Sequence, residues 1–350
     1  MKNKVNIESL IRENVKYLEP YSSARDEFKD THRTDMVFLD ANENPFESGV
    51  NRYPDPLQRN LKAKIAHRNQ VSMNQILLGN GSDEVLDLLF RAFCEPKEDN
   101  IITLPPTYGM YKVLAGINAV ENREVLLTDN FEPNVSQILK VQDAHSKLLF
   151  LCSPNNPTGN SFSEEDVLEL LSKFNGLVVI DEAYIHFSEK DSWLQRLEEF
   201  PNLIIIQTLS KAYGMAGIRL GICFASSYLI AILNRIKPPY NVNELTQQRA
   251  NERYSKLNNL NNEISLLLKE KDKLSKLLLQ VNFVKRIYPS DTNFLLIQVD
   301  NATLRYDQLI QKGIVVRNRS NQPLCTNTLR ITIGTPWENE KLINTLKTIE

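Results

Sequence analysis

From residue 36 onward, short apolar runs alternate with stretches of helical periodicity. MVFLD, QILLG, NIITL, VLL, KLLFLC, LVVID and LIIIQ, each bounded by polar or turn residues, predict strands. Between them, SDEVLDLLFRAF and SEEDVLELLSKF repeat apolar residues at three- and four-residue spacing and predict helices. Both open on a serine followed by acids, which suits the unpaired N–H groups and positive end of a helix. Near-continuous apolar strands alternating with helices predict an α/β fold, a mostly parallel sheet covered on both faces.

After about residue 230 the texture changes. Residues 246–280 form a charged, Leu-rich helical region with neither Gly nor Pro. It reads as a surface or domain-spanning helix rather than a free coiled coil. NFLLIQV, GIVVRN and LRITIG follow as strand-like runs before a short C-terminal helix, predicting a smaller α+β domain. Residues 1–35 are polar, with one helical stretch from Ile7 to Tyr17 ending near Pro20. The expected division is an arm over 1–35, packing with the small domain or a partner, a large domain over 36–245 and a small domain over 246–350. Neither an internal repeat nor a low-complexity segment is visible.

Composition narrows the function classes only slightly. The 350 residues are 42% hydrophobic and 24% charged, enough for a sizeable core without staples. A net charge of −2 speaks against a polyanion binder held by a broad positive field. The start, MKNKVNIESL, lacks an apolar run and no stretch suits a membrane span, so a cytoplasmic protein is expected. The cysteines at 94, 152, 223 and 325 form no CxxC pair, which disfavours zinc ribbons and dithiol chemistry. Glycine is scarce, at 12 residues, and those at 79, 81, 109, 159, 214, 217 and 221 gather in a few short segments.

Those segments carry the candidate chemistry. ILLGNGSDE (76–84) runs from a strand through a glycine turn into a helix start; it is either an ordinary connection or a phosphate cradle built from free backbone N–H groups. TLSKAYGMAGIRLG (208–221) puts Lys211 just past a buried-looking strand, where desolvation would lower its pKa and activate it for Schiff-base formation. Thr208, Ser210 and Arg219 surround it with anion-binding donors. VVIDEAYIHF (178–187) ends a strand on Asp181, positioned to pair with a protonated ring nitrogen, with Tyr184 three residues beyond. A metal would need more ligands than Asp181, Glu182 and His186 offer, and none is expected. CSPNNPTG (152–159) is a rigid turn whose asparagines could hydrogen-bond a ligand oxygen, and LPPTYGMY (104–111) fixes Tyr108 either as a stacking platform or as core. Together these are the parts a pyridoxal phosphate site requires.

On these residues the chain resembles the fold-type I pyridoxal-phosphate aminotransferases, in the class II branch. The motifs are LDANENPF (39–46), NRYPDP (51–56), GNGSDE (79–84), LPPTYGMY (104–111), CSPNNPTG (152–159), VIDEAYIHF (179–187), TLSKAYGMAGIRLG (208–221), GIVVRN (313–318) and LRITIGT (329–335), in the family's order across nearly the whole chain. The resemblance implies a large domain with a seven-stranded sheet, a smaller α+β domain and a homodimer. It implies that Lys211 carries the cofactor and moves the proton, that Asp181 holds the pyridine nitrogen protonated, and that Tyr184 and Asn156 hydrogen-bond the phenolic oxygen. Tyr108 would stack on the ring, while Ser82, Asp83, Thr208, Ser210 and Arg219 would surround the phosphate. Tyr53 would reach the partner subunit's cofactor phosphate. Arg330 matches the family's carboxylate-binding arginine, and Arg317 and Tyr21 are candidates for the far end of the substrate, with a structural salt bridge the other reading of Arg317. Arg319 has no motif behind it and is set aside.

LDANENP and LPPTYGMY narrow the resemblance to the branch that exchanges histidinol phosphate and 2-oxoglutarate for imidazole acetol phosphate and glutamate. The alternatives on the same fold are an aromatic amino-acid aminotransferase and a threonine-phosphate decarboxylase. A pyridoxal-phosphate-binding regulator would carry an added basic domain, which the mixed-charge first forty or so residues do not resemble. The segment KPPYNVNE (237–244) departs from the family's Pro-Tyr-Pro/Asn pattern and leaves side-chain specificity open.

Overall fold

The computed structural model describes residues 5–19 and 36–349. Its larger sheet has seven strands: β1 (Ile76–Asn80), β2 (Asn100–Thr103), β3 (Glu121–Glu124), β4 (Ser146–Cys152), β5 (Leu177–Asp181), β6 (Leu203–Thr208) and β7 (Leu220–Ala225). The order is β1-β7-β6-β5-β4-β2-β3, and all neighbours are parallel except that β7 runs against both β6 and β1. The α/β architecture expected from the apolar runs is therefore present, with one reversed strand in its interior.

Strand pleating explains why these runs are almost wholly apolar. In β4, Leu148 and Phe150 face one layer of helices while Leu149 and Leu151 face the other. On the first side lie α4 (Ser82–Phe93), α5 (Met110–Ile117) and α8 (Ser227–Ile236). On the other lie α3 (Arg59–Asn69), α6 (Val135–Val141) and α7 (Glu164–Lys173). Ser163 caps α7 by accepting from the Asp166 N–H, as its sequence predicts, whereas α4 starts at Gly81 with no side-chain cap. Gly81 has φ +80°, and a Cβ there would lie 2.7 Å from Arg219. A Cβ on Gly221 would lie 2.3 Å from the Ser82 nitrogen, so the start of β7 can approach the start of α4 only without a side chain.

The second sheet is antiparallel, in the order β10-β11-β9-β8, from β8 (Val284–Ile287), β9 (Phe294–Val299), β10 (Arg317–Asn318) and β11 (Thr328–Thr332). Helices α10 (Leu257–Leu278), α11 (Ala302–Gln311) and α12 (Pro336–Thr348) enclose a separate core of Leu274, Ile297, Leu309, Leu329 and Leu346. A Thr335–Glu338 capping box and Pro336 fix the start of α12. Hydrogen bonds tie the two sheets' units together: the Asp291 N–H donates to Gly159 O at 2.7 Å and Ser161 Oγ to Asp291 Oδ2 at 2.6 Å.

Several expectations are corrected. MVFLD forms no strand; Val37 and Leu39 are 80% and 88% exposed. VLL follows a strand rather than forming one, since β3 is the polar ENRE before it and Val125 and Leu127 bury as the chain leaves the sheet. The predicted single helix over 246–280 is two, α9 (Glu244–Tyr254) and α10, and α9 packs on α3 across the expected domain boundary at 245/246. At the N-terminus, Ile7–Tyr17 is two single turns, α1 (Ile7–Leu10) and α2 (Glu13–Lys16). The Arg12 N–H there donates to Ala92 O at 3.0 Å, and Ile7, Leu10 and Val15 bury with the large sheet's helices rather than with the four-stranded sheet. Among the described residues no helix is long and apolar enough to cross a membrane.

Candidate active site

Parallel strands deliver the residues at their carboxyl ends to one edge of the sheet. Here Cys152 of β4 lies opposite Asp181 of β5, with Thr208 of β6 beyond, and these ends floor a cleft of about 570 Å³. The four-stranded sheet closes it from the other side with Arg317, Arg319 and Arg330. Ser82, Asp83, Tyr108, Asn156, Asp181, Tyr184, Thr208, Ser210, Lys211, Arg219, Arg317 and Arg330, gathered from seven stretches of sequence, all line this one space.

Lys211 sits on a tight turn after β6, closed by the Gly214 N–H donating to Lys211 O at 3.0 Å, with Gly214 at φ +67°. Its ammonium opens to the cleft, 5.7 Å from the centre of the Tyr184 ring. Crowding by the cleft walls, and secondarily the Arg330 charge, lower its pKa against the pull of Asp181. Asp181 is buried, and burial pushes its carboxyl upward. Tyr111 Oη donates to its Oδ2 at 2.7 Å and the Ala183 N–H to its Oδ1 at 3.1 Å, both favouring the ionised form. No lysine or arginine among the described residues reaches it within ion-pair distance. Burying a carboxylate with no cation costs several kcal/mol, so this group is suited to a cationic ligand.

Glu182, beside it, turns the other way. It accepts from Ser192 Oγ, the Trp193 N–H and Gln207 Nε2, and burial lifts it to about 7. The two adjacent asparagines also divide their roles. Asn155 is spent inside, donating to Pro106 O at 2.9 Å and Thr158 Oγ1 at 2.7 Å, while Asn156 reaches the cleft and accepts from Arg330 Nη1. Tyr184 is buried edge-on against Phe294 at 5.3 Å, and burial raises its phenol.

At one end of the cleft the uncapped first turn of α4 meets the turn after β6. Arg219 lies 3.4 Å from Asp83 and donates to Ser210 Oγ at 3.5 Å. Tyr108 Oη donates to the other Asp83 oxygen at 3.1 Å. Asp83 is thus an acceptor for neighbouring side chains; only its backbone N–H suits an anion. Thr208 Oγ1 accepts the Ser210 N–H at 3.1 Å and shapes the turn. At the other end, Arg317 and Arg330 are directly opposite on β10 and β11, and Arg330 lies 5.1 Å over the Phe294 ring.

Tyr53 is not brought to this cleft. It stacks on Tyr240 at 4.5 Å beside a separate cavity of about 510 Å³. Tyr21 lies outside the described residues. Two residues in the site escaped the sequence reading. Tyr111, stacked on Phe150 at 4.6 Å, fixes Asp181, and Arg319 joins the other arginines; the i, i+2 spacing from Arg317 along a strand was the available signal for the second.

Comparisons with known proteins show the family and the fold. The family model for aminotransferase class I and II matches residues 28–346. The histidinol-phosphate aminotransferase of Flavobacterium johnsoniae is 64% identical over 99% of this chain and 99% of its own length. In fold, the chain matches the crystal structure of the histidinol-phosphate aminotransferase from Clostridium acetobutylicum with a TM-score of 0.79 at 24% identity, covering 86% of this chain and 91% of that one. The Sinorhizobium meliloti enzyme of the same name, solved in complex with pyridoxal-5'-phosphate, matches with a TM-score of 0.77 at 21% identity over 85% and 84%. With a family match over most of its length and a full-length relative at that identity, the chain belongs to the class I and II aminotransferases, pyridoxal-phosphate enzymes of fold type I.

Proposed function

We propose that this chain transfers the amino group of histidinol phosphate to 2-oxoglutarate, giving imidazole acetol phosphate and glutamate, a step of histidine biosynthesis. The observation that carries the reading is one cleft holding a partly desolvated lysine and, among the described residues, a buried carboxylate without a counter-cation and three arginines without a paired acid. Pyridoxal phosphate, when bound, supplies a carbonyl that captures the amine and a ring that draws electrons away from its Cα–H bond.

The residues fit that group. Asp181, kept ionised by Tyr111 and the Ala183 N–H, holds a proton on the pyridine nitrogen. Lys211, its pKa lowered by the cleft walls, is the amine positioned to take the proton from the reacting carbon and return it to the neighbouring one. Asn156, whose oxygen is taken by Arg330, and Tyr184 would donate to the phenolic oxygen, and Tyr108 would lie against the ring. The first N–H groups of α4 at Ser82 and Asp83, the hydroxyls of Thr208 and Ser210, and Arg219 take the phosphate. Arg330 orients the carboxylate of glutamate, or the phosphate of the other amine, with Arg317 and Tyr21 serving the histidinol phosphate end.

Residues 36–245 are read as the cofactor-holding domain and 246–350 as the domain that contributes the arginines. A homodimer completes the site, with Tyr53 directed at the partner's cofactor phosphate. Exposed Val37, Leu39 and Phe46 and the Tyr53–Tyr240 stack support it. The substrates are charged metabolites, and a cytoplasmic location goes with them.

The absorbance spectrum of the purified protein tests the reading. A yellow protein that bleaches to a pyridoxamine-like band with glutamate and, separately, with histidinol phosphate is the expected result. Bleaching with glutamate and phenylalanine but not histidinol phosphate discards the substrate and keeps the chemistry. Carbon dioxide release from threonine phosphate without a keto acid would point to the decarboxylase alternative.

A further inference from the structure

We propose that Arg319 is a specificity residue: a third guanidinium that a phosphate-bearing amine engages and a carboxylate-bearing one does not. The inference deepens the reading above and rests on it. Arg317 opens β10 directly opposite Arg330, which puts both side chains on one face of the antiparallel pair. Arg319, two residues further on, returns to that face and lines the same cleft. Its backbone is anchored, its N–H donating to Thr328 O and its carbonyl accepting the Gln322 N–H, both at 2.9 Å.

What the side chain lacks, among the described residues, is an acid to pair with. Its Nε is buried without a hydrogen bond, and so is that of Arg330. Burial, with Arg317 close by, lowers the Arg319 pKa, the signature of a cation held among cations. The acids lining the cleft among the described residues are Asp83, paired with Arg219, and Asp181, held by Tyr111. Three guanidiniums are thus assembled where no acid among the described residues pairs with them. Such an arrangement weakens the fold unless a ligand brings the charge.

The two amines differ in what they bring. A carboxylate has one charge and two oxygens, which one guanidinium satisfies through paired hydrogen bonds. A phosphate monoester carries a charge of about −1.5 to −2 near neutral pH and three terminal oxygens, so it rewards each further guanidinium. Arg330, touching Asn156 beside the reacting centre, is positioned to serve both ligands in turn. Arg319 answers the additional charge of the phosphate.

The test uses the holoenzyme of the wild type, Arg319→Gln and Arg319→Lys, titrated with histidinol phosphate, histidinol and glutamate while the cofactor band is followed. For Arg319→Gln the half-saturating concentration of histidinol phosphate should rise about ten- to a hundredfold, the range for losing a hydrogen bond to a charged group. Histidinol and glutamate should change less than about threefold, and Arg319→Lys should recover part of the loss. Inhibition of the glutamate reaction by inorganic phosphate should weaken in parallel. Equal weakening for all three amines, or none for histidinol phosphate, overturns the proposal. The ratio of histidinol to histidinol phosphate within each variant keeps the answer readable even where a variant is poorly folded. A wild type that bleaches with glutamate and ignores histidinol phosphate instead overturns the parent reading, and this one with it.

Discussion

The two ends of the cleft use arginine in opposite ways. At the end proposed to take the cofactor phosphate, Arg219 is held by Asp83, Ser210 and the Ala216 carbonyl, and Tyr108 clips Asp83 from the far side. At the other end, Arg317, Arg319 and Arg330 face the same space with no acid among the described residues, and two of the three leave a buried Nε unpaired. The difference suits the roles proposed above for the two ends. A group retained through many turnovers is best met by donors fixed beforehand. Anions that arrive and leave twice per cycle are best met by donors whose only strong partner is the visitor.

The largest effect belongs to the group between the ends. Lys211→Ala should lower turnover by about 10²–10⁴-fold or more, the share of a positioned base, and abolish the amine-dependent bleaching. Rapid-scan absorbance would detect either. Arg330→Gln should raise the half-saturating concentrations of both amines by about ten- to a hundredfold, because the exchanging end has one shared arginine; an effect on one amine alone would break the contrast. Arg219→Gln should leave amine saturation nearly unchanged and weaken cofactor retention about tenfold, read by dialysis against cofactor-free buffer. The smallest change is Tyr111→Phe, which removes one hydrogen bond and slows turnover by about threefold. Since that bond holds the Asp181 pKa down, its loss lets the pKa rise, and the acid limb of the rate profile should move to higher pH.

Much of this was legible in the sequence because β4, β5 and β6 are buried on both faces and therefore apolar throughout. β5 ends on Asp181, β6 on Gln207 and Thr208, and β4 runs straight into Ser153, so the site falls where the apolar runs stop. β7 was hidden: LGICFA begins inside the lysine motif, where Gly221 is required by the Ser82 backbone rather than by any turn. MVFLD has a strand's composition, but Val37 and Leu39 stay exposed and it pairs with no strand among the described residues. Tyr111 reads as one more core aromatic at a helix start, and nothing local reveals an acid 70 positions away. Arg319 needed β11 beside it before its alternation with Arg317 had a face to belong to. Asn155 and Asn156 are the same residue type side by side, and only the direction of the turn separates a buried strut from a ligand donor.

The uncovered stretch around Val37, Leu39 and Phe46 has a consequence for handling the enzyme. In the homodimer proposed above, burying that surface between subunits would make the folded state depend on how many subunits are present. Heat-unfolding midpoints should therefore climb as the protein is concentrated. Assays run at nanomolar enzyme should lose specific activity on standing, and recover it when the stock is concentrated again.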